Sequence, residues 1–400
     1  MVAGPACGPG HAGSDETTAQ LTTGEAVTTA PTTAPTTAPD GSTGADATTG
    51  GSTTTASTTD PFDPFDCGEF TMSLKLSPAN VVFVVDKSDS MVTALWDHDN
   101  DDPDDDGLTR DMLPATPKRT RWKSLHQELA AMVQEHDGAM NAGLSLFPST
   151  SATNAHSAAA CPVNTPLELP IAPLNAAALV ATLPAEDDVS LAGASPATKG
   201  VKAALAELQA KGAPGSIVLF TDGAANCRGS AANATQLLEE YDEELSAVVS
   251  DAFAQGFLTH VFGIEVVSEV TGDEVDSEPD GINPRDELNA VAIAGGAPLP
   301  FNAKFHNVMN QTLLAQNLEQ VAAQVLGCTF TFPEPATYAD WVEITIGEAD
   351  WGRPWVNDCA TEDGWMYTNE EKTELRLCGQ MCVDAGKAGG IDYRFRCPVD

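Results

Sequence analysis

The sequence predicts a doubly wound α/β domain with a mostly parallel sheet, preceded by a low-complexity stalk and followed by a small β-sandwich-like domain. Three observations lead there. Short apolar runs such as VVFVV (81–85) and SIVLF (216–220) alternate with segments of helical spacing as far as Leu326, and strands that alternate with helices build a parallel sheet covered on both faces. After Gly327 the pattern changes to short alternating runs without helices, CTFTF, WVEITI, GWMYT, ELRLC and DYRFRC, separated by turn residues. Before Cys67 the chain is dominated by Thr, Ala, Pro, Gly and Ser, with a repeated TTAP unit. Too few apolar groups are present there to offset the entropy of ordering the chain. The expected organisation is a stalk over 1–66, an α/β domain over 67–327 with an acidic insertion at 97–111, and a Cys-rich β domain over 328–400.

Composition narrows the partners. Lys and Arg total 19 against 58 Asp and Glu, a formal charge of −39, so nucleic acid and anionic membrane are excluded as partners by repulsion. No apolar run approaches the roughly 18 residues that span a bilayer. Nine cysteines in a chain without enzyme signatures read as disulfides and therefore as export, to the extracellular space or the outer cell surface. Cys7, in GPACGPG, has two readings: the lipidated cysteine of a bacterial lipoprotein, which would anchor the chain by lipid, or a stray cysteine in a tail.

The run at 81–85 is read as a buried strand that ends at Asp86, with Ser88 and Ser90 in the following loop. Spaced by one residue, these three oxygens can turn toward one point, and all-oxygen ligation suits a hard divalent ion. Next comes WDHDNDDPDDDG, in which Asp97, Asp99, Asp101, Asp104 and Asp106 read either as a solvated insertion or as a second, calcium-binding site. No glutamate closes it at the twelfth position, so it is not an EF-hand. Helices are expected over 121–136, 174–183, 237–255, 284–294 with Pro at its start, and 311–326. Strands are expected over 143–147, 165–170, 216–220 and 257–267, with an edge strand at 301–304. Ser195, in GASPATKG, precedes a further helix, and Asp222 ends the run SIVLFTDG. Because Asp86 and Asp222 both end strands, they share one sheet edge with the Ser195 loop, where this architecture places ligands. Cys161 and Cys227 fall in loops near that edge and are expected to pair. The cysteines after Gly327 are expected to support a core too small to stand unaided.

The D-x-S-x-S pattern of Asp86, Ser88 and Ser90, with Ser195 before a proline and Asp222 after an apolar run, resembles the metal-ion-dependent adhesion site of von Willebrand factor type A (vWA) domains. The resemblance implies that Ser88, Ser90 and Ser195 bind magnesium, or alternatively manganese, through their hydroxyls. Asp86 and Asp222 would then hold coordinated waters, and a partner protein's acidic residue would complete the ion's shell. Two residues depart from the pattern: Ser195 replaces threonine and keeps the hydroxyl, and Asp89 replaces the glycine between the two serines. Asp89 adds a ligand, repels an acidic partner or points to water. WDHD, TRW, TDGAANC, GW-x-Y and LCG-x-x-C over roughly 67–400 look like the exported vWA proteins numerous in myxobacteria.

Three functions follow as expectations. The first is an extracellular metal-dependent adhesion or protein-binding module, not an enzyme. The second is a structural or calcium-binding surface protein with a degenerate site. The third and weakest is a metal-dependent hydrolase, which lacks support because the sequence has no H-E-x-x-H, G-x-S-x-G or P-loop, and its seven histidines have no spacing that nominates a base.

Overall fold

The computed structural model describes residues 70–96, 98, 119–332 and 342–395, apart from 77, 213–214, 273–274, 327, 333–341, 353–354, 358 and 360–361. The stalk expected over 1–66, Cys7, the insertion expected over 97–111 with Asp97, Asp99, Asp101, Asp104 and Asp106, and Cys397 lie outside the described residues. All the residues described belong to the unit Asp63–Asp400.

After β1 (Phe70–Lys75) the chain enters β2 (Ala79–Asp86), whose Val81–Val85 stretch is wholly buried. The short α1 (Ser90–Thr93), β3 (Leu95–Trp96) and β4 (Arg119–Thr120) lead to α2 (Arg121–Glu135), where the Thr120 hydroxyl accepts from Lys123 N at 3.1 Å as an N-cap. Then follow β5 (Met140–Phe147), β6 (Leu169–Pro173), α3 (Ala176–Thr182), α4 (Ala197–Lys211) and β7 (Gly215–Thr221). The unit continues with α5 (Ala234–Leu238), α6 (Glu244–Ala254), β8 (Leu258–Ile264), α7 (Pro284–Ala294), β9 (His306–Val308) and α8 (Gln311–Val325).

These strands form one six-stranded sheet in the order β6-β5-β2-β7-β8-β9, parallel except for β6, which runs antiparallel to β5. The sheet is covered on both faces because successive residues of β2 point opposite ways. Val81, Phe83 and Val85 pack with Trp122, Leu125 and Leu129 of α2 and Leu314 and Leu318 of α8. Val82 and Val84 pack with Val201 and Leu208 of α4, Val249 of α6 and Val291 of α7. Each such side chain contributes roughly 1.5–3 kcal/mol by leaving water. Helix α4 lies close against the sheet at Gly200, where a Cβ would stand 2.9 Å from Val84 Cγ1.

The C-terminal part consists of two small antiparallel sheets. One has the order β1-β15-β11-β12, with β11 Val342–Ile346, β12 Ala349–Gly352 and β15 Gly390–Phe395. The other has the order β10-β14-β13, with β10 Thr329–Thr331, β13 Gly364–Tyr367 and β14 Glu374–Cys378. The hydroxyls of Tyr367 and Tyr393 meet at 2.8 Å between them. Ile344, Leu375 and Tyr393 belong to the same contiguous apolar cluster as α2 and α8, so these sheets extend one face of the α/β core.

Several expectations need correction. The region after Gly327 is not free of helix: α9 (Gln380–Ala388) buries Met381, Cys382 and Ala385, and Cys382 is bonded to Cys328. The helix expected over 237–255 is broken between α5 and α6, where Asp242 N donates to Ala225 O at 2.9 Å and turns the chain. The edge strand expected at 301–304 forms instead at His306–Val308, in register with β8. The strand expected at 165–170 lies at Leu169–Pro173. Among the described residues no helix is long and apolar enough to cross a membrane.

Candidate metal centre

Four of the five predicted ligands form one hydrogen-bonded chain at the carboxyl edge of the central sheet. Asp86, fully buried at the end of β2, accepts from Ser88 N on Oδ1 and from the Thr221 hydroxyl on Oδ2, each at 2.8 Å. Ser88 Oγ lies 3.1 Å from Ser90 Oγ, which in turn donates to Asp222 Oδ1 at 3.0 Å. The order of this chain follows from topology: β2 and β7 are adjacent parallel strands, so the residues that follow them meet at one edge.

Ser195, the fifth, lines the same cavity of about 800 Å³ as Ser88, Ser90 and Asp222. Its loop is held by Asn226. The Ser195 N–H donates to Asn226 Oδ1 at 2.9 Å, Asn226 N donates back to Ser195 O at 3.0 Å, and Asn226 Nδ2 donates to Leu238 O and Ser277 O. Gly193 makes the approach to Ser195 sterically feasible. At φ +108° it sits where a Cβ would come within 2.8 Å of Ala160 O. From below, the buried Lys87 donates through Nζ to Ala192 O at 3.3 Å, and burial lowers its pKa despite Asp86 and Glu168 nearby.

The expected disulfide is present. Cys161 and Cys227 are bonded with their Cα atoms 5.8 Å apart. They pack with Ala160, Ala194 and Leu238, directly beside the Ser195 loop. Asp89 is turned toward Asn154, whose Nδ2 donates to its Oδ1 at 2.6 Å, while Asn154 Oδ1 accepts from Gly193 N. Asn154 thus occupies one oxygen of the Asp89 carboxylate, and Asp89 lines the same cavity as Ser88 and Ser90.

Residues to which the sequence assigns no role at the site shape its electrostatics. Arg121, at the start of α2, donates to Asp222 Oδ2 at 3.0 Å and to Glu265 Oε2 at 2.7 and 3.1 Å. Burial opposes the charge of its guanidinium, but Asp222 and Glu265 outweigh that and hold its pKa above the ordinary value. With Oδ2 taken by Arg121, Asp222 keeps Oδ1 for the Ser90 side. Burial first, and the Asp222 carboxylate second, push the Asp86 carboxyl up to about 7, against the hydrogen bonds from Ser88 and Thr221. Two carboxylates and three hydroxyls on one edge make an all-oxygen donor set that fits a hard divalent cation, and such a cation would relieve the repulsion between the two acids. Thr221 was within reach of the sequence, as the residue before Asp222 at the end of the same apolar run. Arg121 and Glu265 were not, being separated by 144 positions.

Comparison with known proteins adds the following. No family model matches the chain, and no curated protein matches it. Among solved structures, the PilB minor pilin from Streptococcus sanguinis is similar at 16% identity and a TM-score of 0.39, covering 63% of this chain and 62% of that one. The pilus adhesin SpaC from Lactobacillus rhamnosus GG is similar at 12% identity and a TM-score of 0.44, covering 82% of this chain and 40% of its own. Proximal thread matrix protein 1 from the mussel byssus, with a zinc-occupied MIDAS motif, is similar at 12% identity and a TM-score of 0.35, over 66% and 51%. The chain thus spans less than two thirds of the length of each of these three proteins.

Proposed function

We propose that this protein is an extracellular, metal-dependent adhesion or protein-binding module of vWA type, in which a partner's carboxylate completes the shell of a divalent cation, magnesium or manganese. The observation that carries this reading is the hydrogen-bonded chain from the Asp86 carboxylate through the Ser88 N–H and the hydroxyls of Ser88 and Ser90 to the Asp222 carboxylate, set at a cavity with Ser195 on its wall. Ser88, Ser90 and Ser195 would hold the ion, while Asp86 and Asp222 would orient its waters. Magnesium keeps several waters when protein-bound, so an exchangeable position remains for a ligand oxygen. Arg121 fixes Asp222 in place. The three disulfides of the described residues support an oxidising location, the cell surface or beyond it.

The test is calorimetric titration of the full chain with magnesium and manganese, repeated on Ser88→Ala. Saturable binding that disappears in the variant is expected, with the far-UV circular dichroism spectrum unchanged. Binding that persists in Ser88→Ala would overturn the reading and return the chain to a structural surface role.

A further inference from the structure

We infer that the partner segment recognised at this site is basic, carrying one acidic residue flanked by lysine or arginine. This rests on the metal reading above and specifies the ligand that the metal takes. The wall of the cavity beside Ser88, Ser90 and Ser195 carries the carboxylates of Asp89, Asp222, Glu265, Glu269, Asp276 and Glu278 against the single guanidinium of Arg121. Arg121 is already engaged by Asp222 and Glu265. A bound divalent ion still leaves the wall negative, so a partner offering only carboxylates meets one attractive point inside a repulsive field.

The far wall is the loop between β8 and α7, and its acids lie close to the metal edge. Desolvation, then Asp276 and Asp222, hold the Glu278 carboxyl above its ordinary range, while Arg121 pulls the other way. Ser277 is fixed there by N–H donation to both carboxylate oxygens of Glu239, at 3.1 and 3.2 Å, so this acidic wall is anchored. On the same loop Val267 and Val270 line the cavity and are exposed. That pairing of apolar surface and carboxylates matches a lysine or arginine side chain, whose methylene stem covers apolar groups while its charged head reaches an acid. The metal selects one carboxylate of the partner and the loop selects the cations beside it.

Four capped, fluorescein-labelled peptides of equal length test this against the full chain in saturating magnesium, read by fluorescence anisotropy. They carry Asp among neutral residues, Asp flanked by Lys, Asp flanked by Glu, and Asn flanked by Lys. The Lys-flanked Asp peptide is expected to bind about tenfold or more tighter than the neutral one. Added salt should shrink that gain, and Glu269→Gln combined with Glu278→Gln should remove it. Equal affinity of the neutral and Lys-flanked Asp peptides overturns the inference and leaves the metal reading standing. Equal binding of the Lys-flanked Asn peptide, or no magnesium-dependent binding by any of the four, overturns both.

Discussion

Cys161–Cys227 joins two loops at the carboxyl edge of the parallel sheet, whereas Cys328–Cys382 and Cys359–Cys378 tie α9 and a loop to the short strands of the C-terminal sheets. The central sheet rests on an extensive core: β2 is buried on both faces, and the helices close two large apolar clusters around the sheet. The C-terminal strands are three to six residues long and share their core with α2 and α8. Disulfides therefore serve different ends in the two regions, positioning a site in one and completing a core in the other.

The sharpest way to separate the regions is to damage the site alone. Asp222→Ala removes one end of the oxygen chain and one of the two acids that hold Arg121. Saturable magnesium binding should vanish in calorimetry. Stability should fall by about 2 kcal/mol, less than the ~3–5 kcal/mol of a wholly abandoned buried charge, because Glu265 still pairs with the guanidinium. Metal binding in Asp222→Ala equal to that of the unchanged protein would remove Asp222 from the site.

The converse damage is to the C-terminal core. Replacing both Cys328 and Cys382 by Ala opens a bridge spanning 54 residues and should cost about 4 kcal/mol in urea unfolding on the chain-entropy view. Magnesium affinity, measured below the transition, should stay the same. A loss of metal affinity in this variant would mean that the two regions are coupled through α2 and α8.

What was legible in the sequence follows the same division. Asp86, Ser88, Ser90 and Asp222 were readable because all four lie at, or within four residues of, the end of a buried, largely apolar strand, so strand ends and ligands are specified locally. The partners that orient them, Arg121, Glu265 and Asn226, were not, since each contact joins positions that only the fold brings together. In the C-terminal region strand periodicity located β10, β11, β13, β14 and β15, but α9 escaped. Its segment QMCVDAGKA is short and ends at Gly389 in the left-handed region, and its register is held by a disulfide. Met381, Cys382 and Ala385 at helical spacing were the available signal. Likewise the edge strand expected at 301–304 forms at His306–Val308, because pairing with β8, which the local sequence does not encode, fixes its position.

Acid should also distinguish the regions, because all histidines of the chain precede Gly327. Burial, helped by His306, lowers the pKa of His260 on β8 to about 4 from 6.5. The unfolded chain thus takes this proton first as pH falls. The stability due to neutral His260 is fully present above pH 6.5 and is lost progressively toward pH 4, a difference of about 3 kcal/mol. Urea unfolding at pH 7 and pH 4.5 should show a steeper loss in the unchanged protein than in His260→Leu. Parallel losses in the two would assign the acid sensitivity to other groups.

The smallest expected effect is the most direct test of the positioning role given to Cys161–Cys227. Replacing both by Ser opens a bridge spanning 66 residues, so overall stability should drop much as in the C-terminal variant. The distinguishing readout is the metal. Asn154, which holds both Asp89 and Gly193, and Asn226, which holds Ser195, lie on the two loops that this bridge joins. Once it is open, Ser195 has to be ordered when the ion binds rather than beforehand. Magnesium affinity should weaken roughly fivefold, about 1 kcal/mol, at a temperature where the variant is fully folded. Ser195→Ala combined with the double cysteine replacement should then weaken binding no further than Ser195→Ala alone, since the bridge acts through that residue. Additive losses would show that the disulfide acts on Ser88 and Ser90 as well, through the contact between Asp89 N and Gly193 O at 3.1 Å.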